Sequence, residues 1–107
     1  MSSANPLIVP QTTTATVTLN AIEADMVFLM TNGSGLATTE TVVINIVTTS
    51  GVVPYVSPYT NTVIQLTATL QSAVLQGGCI YQFVKSVTAG VCGVDQSMKP
   101  RVGGGAS

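Results

Sequence analysis

An all-β fold is predicted: a single small antiparallel β-sandwich or barrel of about six to seven strands, with extended N- and C-terminal arms. Three observations predict it. Apolar and polar residues alternate with a period of two along most of the chain. The alternating runs are filled with valine, isoleucine and threonine, which suit a pleated, half-buried surface. Short glycine- or asparagine-containing breaks fall between the runs at the spacing of a sandwich or small barrel.

Residues 1–11 are expected to form an extended N-terminal arm. "NPLIVPQ" holds Leu7, Ile8 and Val9 between two prolines, which disfavour a helix. An apolar arm of this kind needs a place to bury itself, on its own domain or as a strand added to a neighbour. Residues 12–97 are expected to form the β domain. In "TTTATVTL", Thr12, Thr14, Thr16 and Thr18 fall on one strand face and Thr13, Ala15, Val17 and Leu19 on the other. "MVFLM" (Met26 to Met30) suits a buried strand, and Asn32-Gly33 after it is a hairpin or loop signal. Alternation returns at Thr41 to Thr49, Asn61 to Gln71 and Cys79 to Val87, where Tyr81 and Phe83 share a side. Ser50-Gly51, Gly77-Gly78 and Ala89-Gly90 are further breaks. A short helix over Leu70 to Leu75 is the one alternative, since Leu66, Leu70, Ala73 and Val74 fit a helical face. "MKPRVGGGAS", residues 98–107, reads as a glycine-rich tail that is disordered when free.

The 107 residues are enough for one domain with a modest core. No apolar run approaches the ~18 residues of a membrane span, and the first residues lack the basic and apolar regions of a secretory signal. No membrane partner is expected. Charged residues make up only 7% of the chain, against roughly 25% in an average domain. Three cations cannot supply the counterion release behind nucleic-acid affinity, so no nucleic-acid partner is expected either. A net charge of −1 gives little protection against self-association.

The chemistry of catalysis is poorly represented. There is no histidine to activate a serine or cysteine nucleophile. Two cysteines without histidine cannot complete a structural zinc site, and no glycine-rich loop links a strand to a helix. Neither enzyme activity, cofactor nor metal is expected. Glu23 and Asp25 form an i, i+2 acid pair that reads as a solvated strand end. If Ala89-Gly90 closes a hairpin, Val87 lies opposite Cys92 and Cys79 falls too far away for a disulfide, so buried free thiols are expected. "NGS" at Asn32 matches a glycosylation acceptor, although a turn explains it equally.

"PYVSPY" carries two Pro-Tyr pairs, and two readings stand. Tyr55 and Tyr59 are contact anchors on a stiff loop, or they cap the core from a proline-rich edge. The threonine row also has three readings. It is an interface without buried ions, a ladder that binds carbohydrate or ice with Thr67 to Thr69 as partner, or an ordinary solvated strand face.

A small, charge-poor β domain with an extended "NPLIVPQ" arm resembles the head decoration (cement) proteins of tailed bacteriophages and other small virion β-sandwich proteins. The resemblance covers the general layout of the chain and no diagnostic motif, and the threonine bias and lack of tryptophan depart from the family. It implies a β-rich, often trimeric protein on the virion surface, assembled in the host cytoplasm and clamping neighbouring capsomers. The expected function is therefore a non-enzymatic structural protein of a larger assembly. Its partners are itself, as a homo-oligomer, and a major capsid or other virion protein. Leu7, Ile8 and Val9 form the docking arm, Tyr55 and Tyr59 the anchors, and Lys99 and Arg101 pair with acidic groups on a neighbour. The rival is a surface adhesin or carbohydrate-binding sandwich that uses the same tyrosines.

Overall fold

A computed structural model describes residues 5–58 and 60–100. The strands are β1 (Asn5–Gln11), β2 (Ala15–Asn20), β3 (Ala24–Gly33), β4 (Val42–Thr48), β5 (Gly51–Pro54), β6 (Val56–Ser57), β7 (Thr62–Val63), β8 (Gln65–Leu66), β9 (Ser72–Gln76), β10 (Ile80–Lys85) and β11 (Cys92–Pro100). All pairings are antiparallel. The all-β expectation holds, in open sheets that do not close into a barrel. The count of six to seven strands is too low because the stretch from Asn61 to Gln71 does not run as one strand. It breaks into β7, β8 and a tight turn bridged at Thr67 and Leu70. The helix considered over Leu70 to Leu75 does not form: Leu70 closes the turn, and strand β9 runs from Ser72, with its Val74 opposite Phe28 of β3.

The first sheet has the order β1-β11-β3-β9, and the second the order β2-β10-β4-β5, with β8 also on β4. The chain changes sheet at nearly every connection. Among the described residues, consecutive strands pair as hairpins at β4 and β5, with Thr48 opposite Gly51, and at β6 and β7, a separate two-stranded sheet with Ser57 opposite Thr62. Ala89-Gly90 is therefore a crossing between β10 and β11, which lie in different sheets, and the inferred Val87–Cys92 pairing does not form. Both thiols are free, Cys79 half-buried and Cys92 buried. Burial pushes the Cys92 thiol above its ordinary range, which keeps it protonated and unreactive.

The core fills the space between the sheets. Val27, Leu29 and Leu75 of the first sheet meet Val42, Ile44, Tyr81 and Phe83 of the second, all within one apolar cluster. Burial of these side chains is the main stabilising contribution. Tyr81 donates its hydroxyl to Gln76 O at 2.6 Å and packs edge-on against Tyr55, ring centroids 5.3 Å apart. Burial, with Cys79 beside it, holds the Tyr81 phenol well above the usual tyrosine range. The hydrogen bond thus stays that of a neutral donor.

Two polar side chains lock the crossings. Gln71 Oε1 accepts from Thr31 Oγ1 and Leu36 N, while its Nε2 donates to Leu36 O and Ala68 O. At the other end, the Glu40 carboxylate accepts the Ala37 and Ala89 amides, each at 2.7 Å. Those backbone bonds hold the Glu40 carboxyl below its ordinary 4.5. A depressed carboxylate pKa stabilises the fold above the unfolded value, and that contribution is lost as pH falls through the folded one. Thermal melts from pH 6 downward are therefore expected to show a smaller acid-induced loss in Glu40→Gln than in the parent chain. Equal slopes would show that the two amides do not discriminate the carboxylate.

Candidate functional site

Residues 5–11 are extended as expected, but they form β1, the edge strand of the first sheet, paired with β11. Ile8 is buried in the core opposite Val94, so it is unavailable to a neighbour. Leu7 packs partly against the core, and only Val9 of the three projects outward, 65% exposed. Tyr55, expected as a surface anchor, is 4% exposed and belongs to the core. Its backbone amide is held by Ile44 O at 3.0 Å, which turns the ring toward Tyr81 instead of outward. Tyr59 and Arg101 lie outside the described residues. Lys99 is exposed on β11, 3.8 Å from Asp25. The predicted site residues therefore do not come together as one surface.

The threonine row is also divided. β2 begins at Ala15, where pairing with Lys85 of β10 starts, so only Thr16 and Thr18 stand on its outer face. Thr12 to Thr14 bend around Lys85, which is fully buried and donates Nζ to Thr13 O, Ser86 O and Thr88 Oγ1. Thr67 and Thr69 sit in a tight turn, 3.2 Å apart through their hydroxyls, and add no second row to the strand face. A four-threonine ladder with a matching partner is thus not formed.

What the fold builds instead is a pair of uncovered sheet faces. On the second sheet the inward residues of β10 are Tyr81, Phe83 and Lys85, so Ile80, Gln82 and Val84 point outward. The register carries three rows across this face: Thr16, Val84, Val43 and Gln65; Thr18, Gln82, Asn45 and Pro54; Asn20, Ile80, Val47 and Val52. None of the twelve carries a charge. Hydroxyls, amides and β-branched methyls make up nearly the whole surface.

On the first sheet, "MVFLM" is a strand with only one buried face. Val27 and Leu29 point into the core, while Phe28 and Met30 are 42% and 61% exposed. Phe28 lies beside Val74 of β9 and Ser97 of β11. Phe28 and Met30 line two shallow clefts, about 140 Å³ toward β11 and about 400 Å³ toward β9. Sequence reading missed this face, although the signal was present. A run apolar at odd and even positions means either burial on both sides or one side awaiting a cover.

Glu23 lines a cleft of about 280 Å³ with Asn20, Ala24, Met98 and Pro100, and Asp25 pairs with Lys99. Among the described residues no three of the His, Cys, Asp and Glu side chains come together as a metal-ligand group. No helix among them is long and apolar enough to cross a membrane. Comparison of the chain with protein-family models, with curated proteins and with solved structures finds no match.

Proposed function

We propose that this chain is a non-enzymatic structural subunit of a larger particle, a capsid decoration (cement) protein that binds and stabilises a virion lattice. The observation that carries the reading is the ion-free outer face of the second sheet. Burying such a face against a partner removes no charge from water, so it avoids the several kcal/mol that each unpaired ion would cost. The hydroxyl and amide rows supply directional hydrogen bonds, and the valine and isoleucine methyls supply packing. The same face would be an aggregation hazard on a subunit that stayed alone, because charge is the usual safeguard of an exposed sheet. The partner is a major capsid or other virion protein with a matching uncharged surface.

The adhesin or carbohydrate-binding alternative depends on tyrosines as stacking rings, and burial of Tyr55 takes that ring away from any glycan. The test is density-gradient fractionation of lysates from cells that carry the gene in its native setting. The chain is expected in the particle fraction, and a Gln82→Lys/Asn45→Lys variant with an unchanged circular dichroism spectrum is expected at the top of the gradient. A parent chain found only as free protein, or a variant that still sediments with particles, would overturn the reading.

A further inference from the structure

We infer that the outer face of the first sheet is a self-association surface, and that a second copy of this chain covers it about a two-fold axis. The inference rests on the structural-subunit reading for its biological sense, but its physical argument is separate. Phe28, Met30 and Val74 are exposed together on neighbouring strands, an apolar patch on the β3–β9 side of the sheet face.

Charge placement selects the occupant and its orientation. Three outward residues of β11 lie in line, Asp95 opposite Met30, Ser97 opposite Phe28 and Lys99 opposite Met26. The anion and the cation therefore stand two residues to either side of the Phe28 row; within the chain Lys99 lies 3.8 Å from Asp25 and Asp95 accepts from Asn32 Nδ2 at 2.9 Å, contacts that the cross-dyad pair shares. A dyad lying in the interface along that row, across the strands, sets β11 against its own copy with direction reversed. Lys99 of one copy then meets Asp95 of the other, at both ends of the interface. Met26 faces Met30, and Phe28 packs on its symmetry mate over the small Ser97. A dyad along the strands would instead keep each charge at its own level, so Lys99 would not meet Asp95. The face is self-complementary in one arrangement.

The area is adequate for a specific, modest dimer. Strands of 7, 10, 9 and 5 residues for β1, β3, β11 and β9, at ~4.8 Å spacing and ~3.3 Å per residue, give a footprint on the order of 500 Å² per partner, in the small-interface range of weak association. Association is expected at protein concentrations in the micromolar range. This surface is distinct from the ion-free face of the second sheet, so a dimer leaves that face available to the lattice.

Sedimentation equilibrium of the full chain over a concentration series tests the inference. The parent chain is expected to form a discrete dimer. Asp95→Lys and Lys99→Asp should each raise its dissociation constant about tenfold, because every substitution acts twice across the dyad. Mixing the two variants should restore dimerisation, since each mixed pair sets two lysines of one chain against two aspartates of the other. Circular dichroism of each variant confirms the fold, and Phe28→Ser provides a charge-neutral disruption. A monomeric parent chain, a different discrete oligomer, or variants that do not rescue one another would overturn the inference. A parent chain that fails here yet sediments with particles would leave the structural-subunit reading intact, whereas dimers without particle association would separate the two the other way.

Discussion

Lys85→Ala is expected to destabilise the protein by about 3–5 kcal/mol, the range for a large buried side chain whose loss also strands polar partners. Lys85 sits on β10 in the middle of the second sheet and points into the core with no solvent exposure. Its ammonium donates to Thr13 O at 2.8 Å, Ser86 O at 3.0 Å and Thr88 Oγ1 at 3.1 Å. Those acceptors belong to the bend before β2 and the crossing after β10, so one side chain ties together two connections, reaching Thr13 from 72 positions away. Lys85→Met separates stem from charge. It keeps most of the buried volume and removes the three donors, and is expected to cost about 2 kcal/mol by the usual penalty for unsatisfied buried carbonyls. Urea denaturation measures both. A midpoint unchanged in Lys85→Met would show that the aliphatic stem, and not the ammonium, holds the bend.

Gly93→Val carries the second large effect. A Cβ at Gly93 would run into the backbone of β1, at Ile8 O and, 2.8 Å away, at Pro10 N. β1 must then move off β11 or β11 must shift within the sheet. Either movement draws Ile8 out of the core, and withdrawal of a buried isoleucine costs about 2–5 kcal/mol. Hydrogen exchange by mass spectrometry is expected to show faster exchange across residues 5–11 in the variant, with β10 still protected. Protection of residues 5–11 equal to that of the parent chain would show that the sheet absorbs the side chain elsewhere.

These two residues also mark the boundary of what is legible before a structure exists. The alternation in Cys79 to Val87 places Tyr81 and Phe83 on one side, and both are buried together. Lys85 continues the same alternation onto the buried side, yet its charge argues for solvent. Only the carbonyls that converge on it from 72 positions away and from its own neighbour make burial tolerable, and no local pattern announces them. Gly93 reads as one more small residue near a turn, whereas its requirement comes from a strand at the far end of the chain. The extended state of "NPLIVPQ" is legible from its prolines. Its destination is not, because a strand's partner is set by the whole fold. The sandwich surfaces follow the same rule. Period two separates Gln82 from Tyr81, but which rows lie side by side depends on sheet order, and here the chain changes sheet too often for neighbours to be guessed.

That repeated change of sheet has a consequence during synthesis. β11 lies between β1 and β3, so it completes the first sheet from its middle. Between the appearance of β1 and the appearance of β11 a ribosome must add roughly 80 residues, on the order of 4–16 s at ordinary elongation rates. Throughout that interval β1 has no strand to pair with, and β3 lacks its β11 neighbour. A truncated chain therefore cannot present the Phe28 row beside Asp95 and Lys99, because two of the three positions are supplied last. The fold works as a completeness check. Only a chain read through Lys99 can offer the self-association face proposed above.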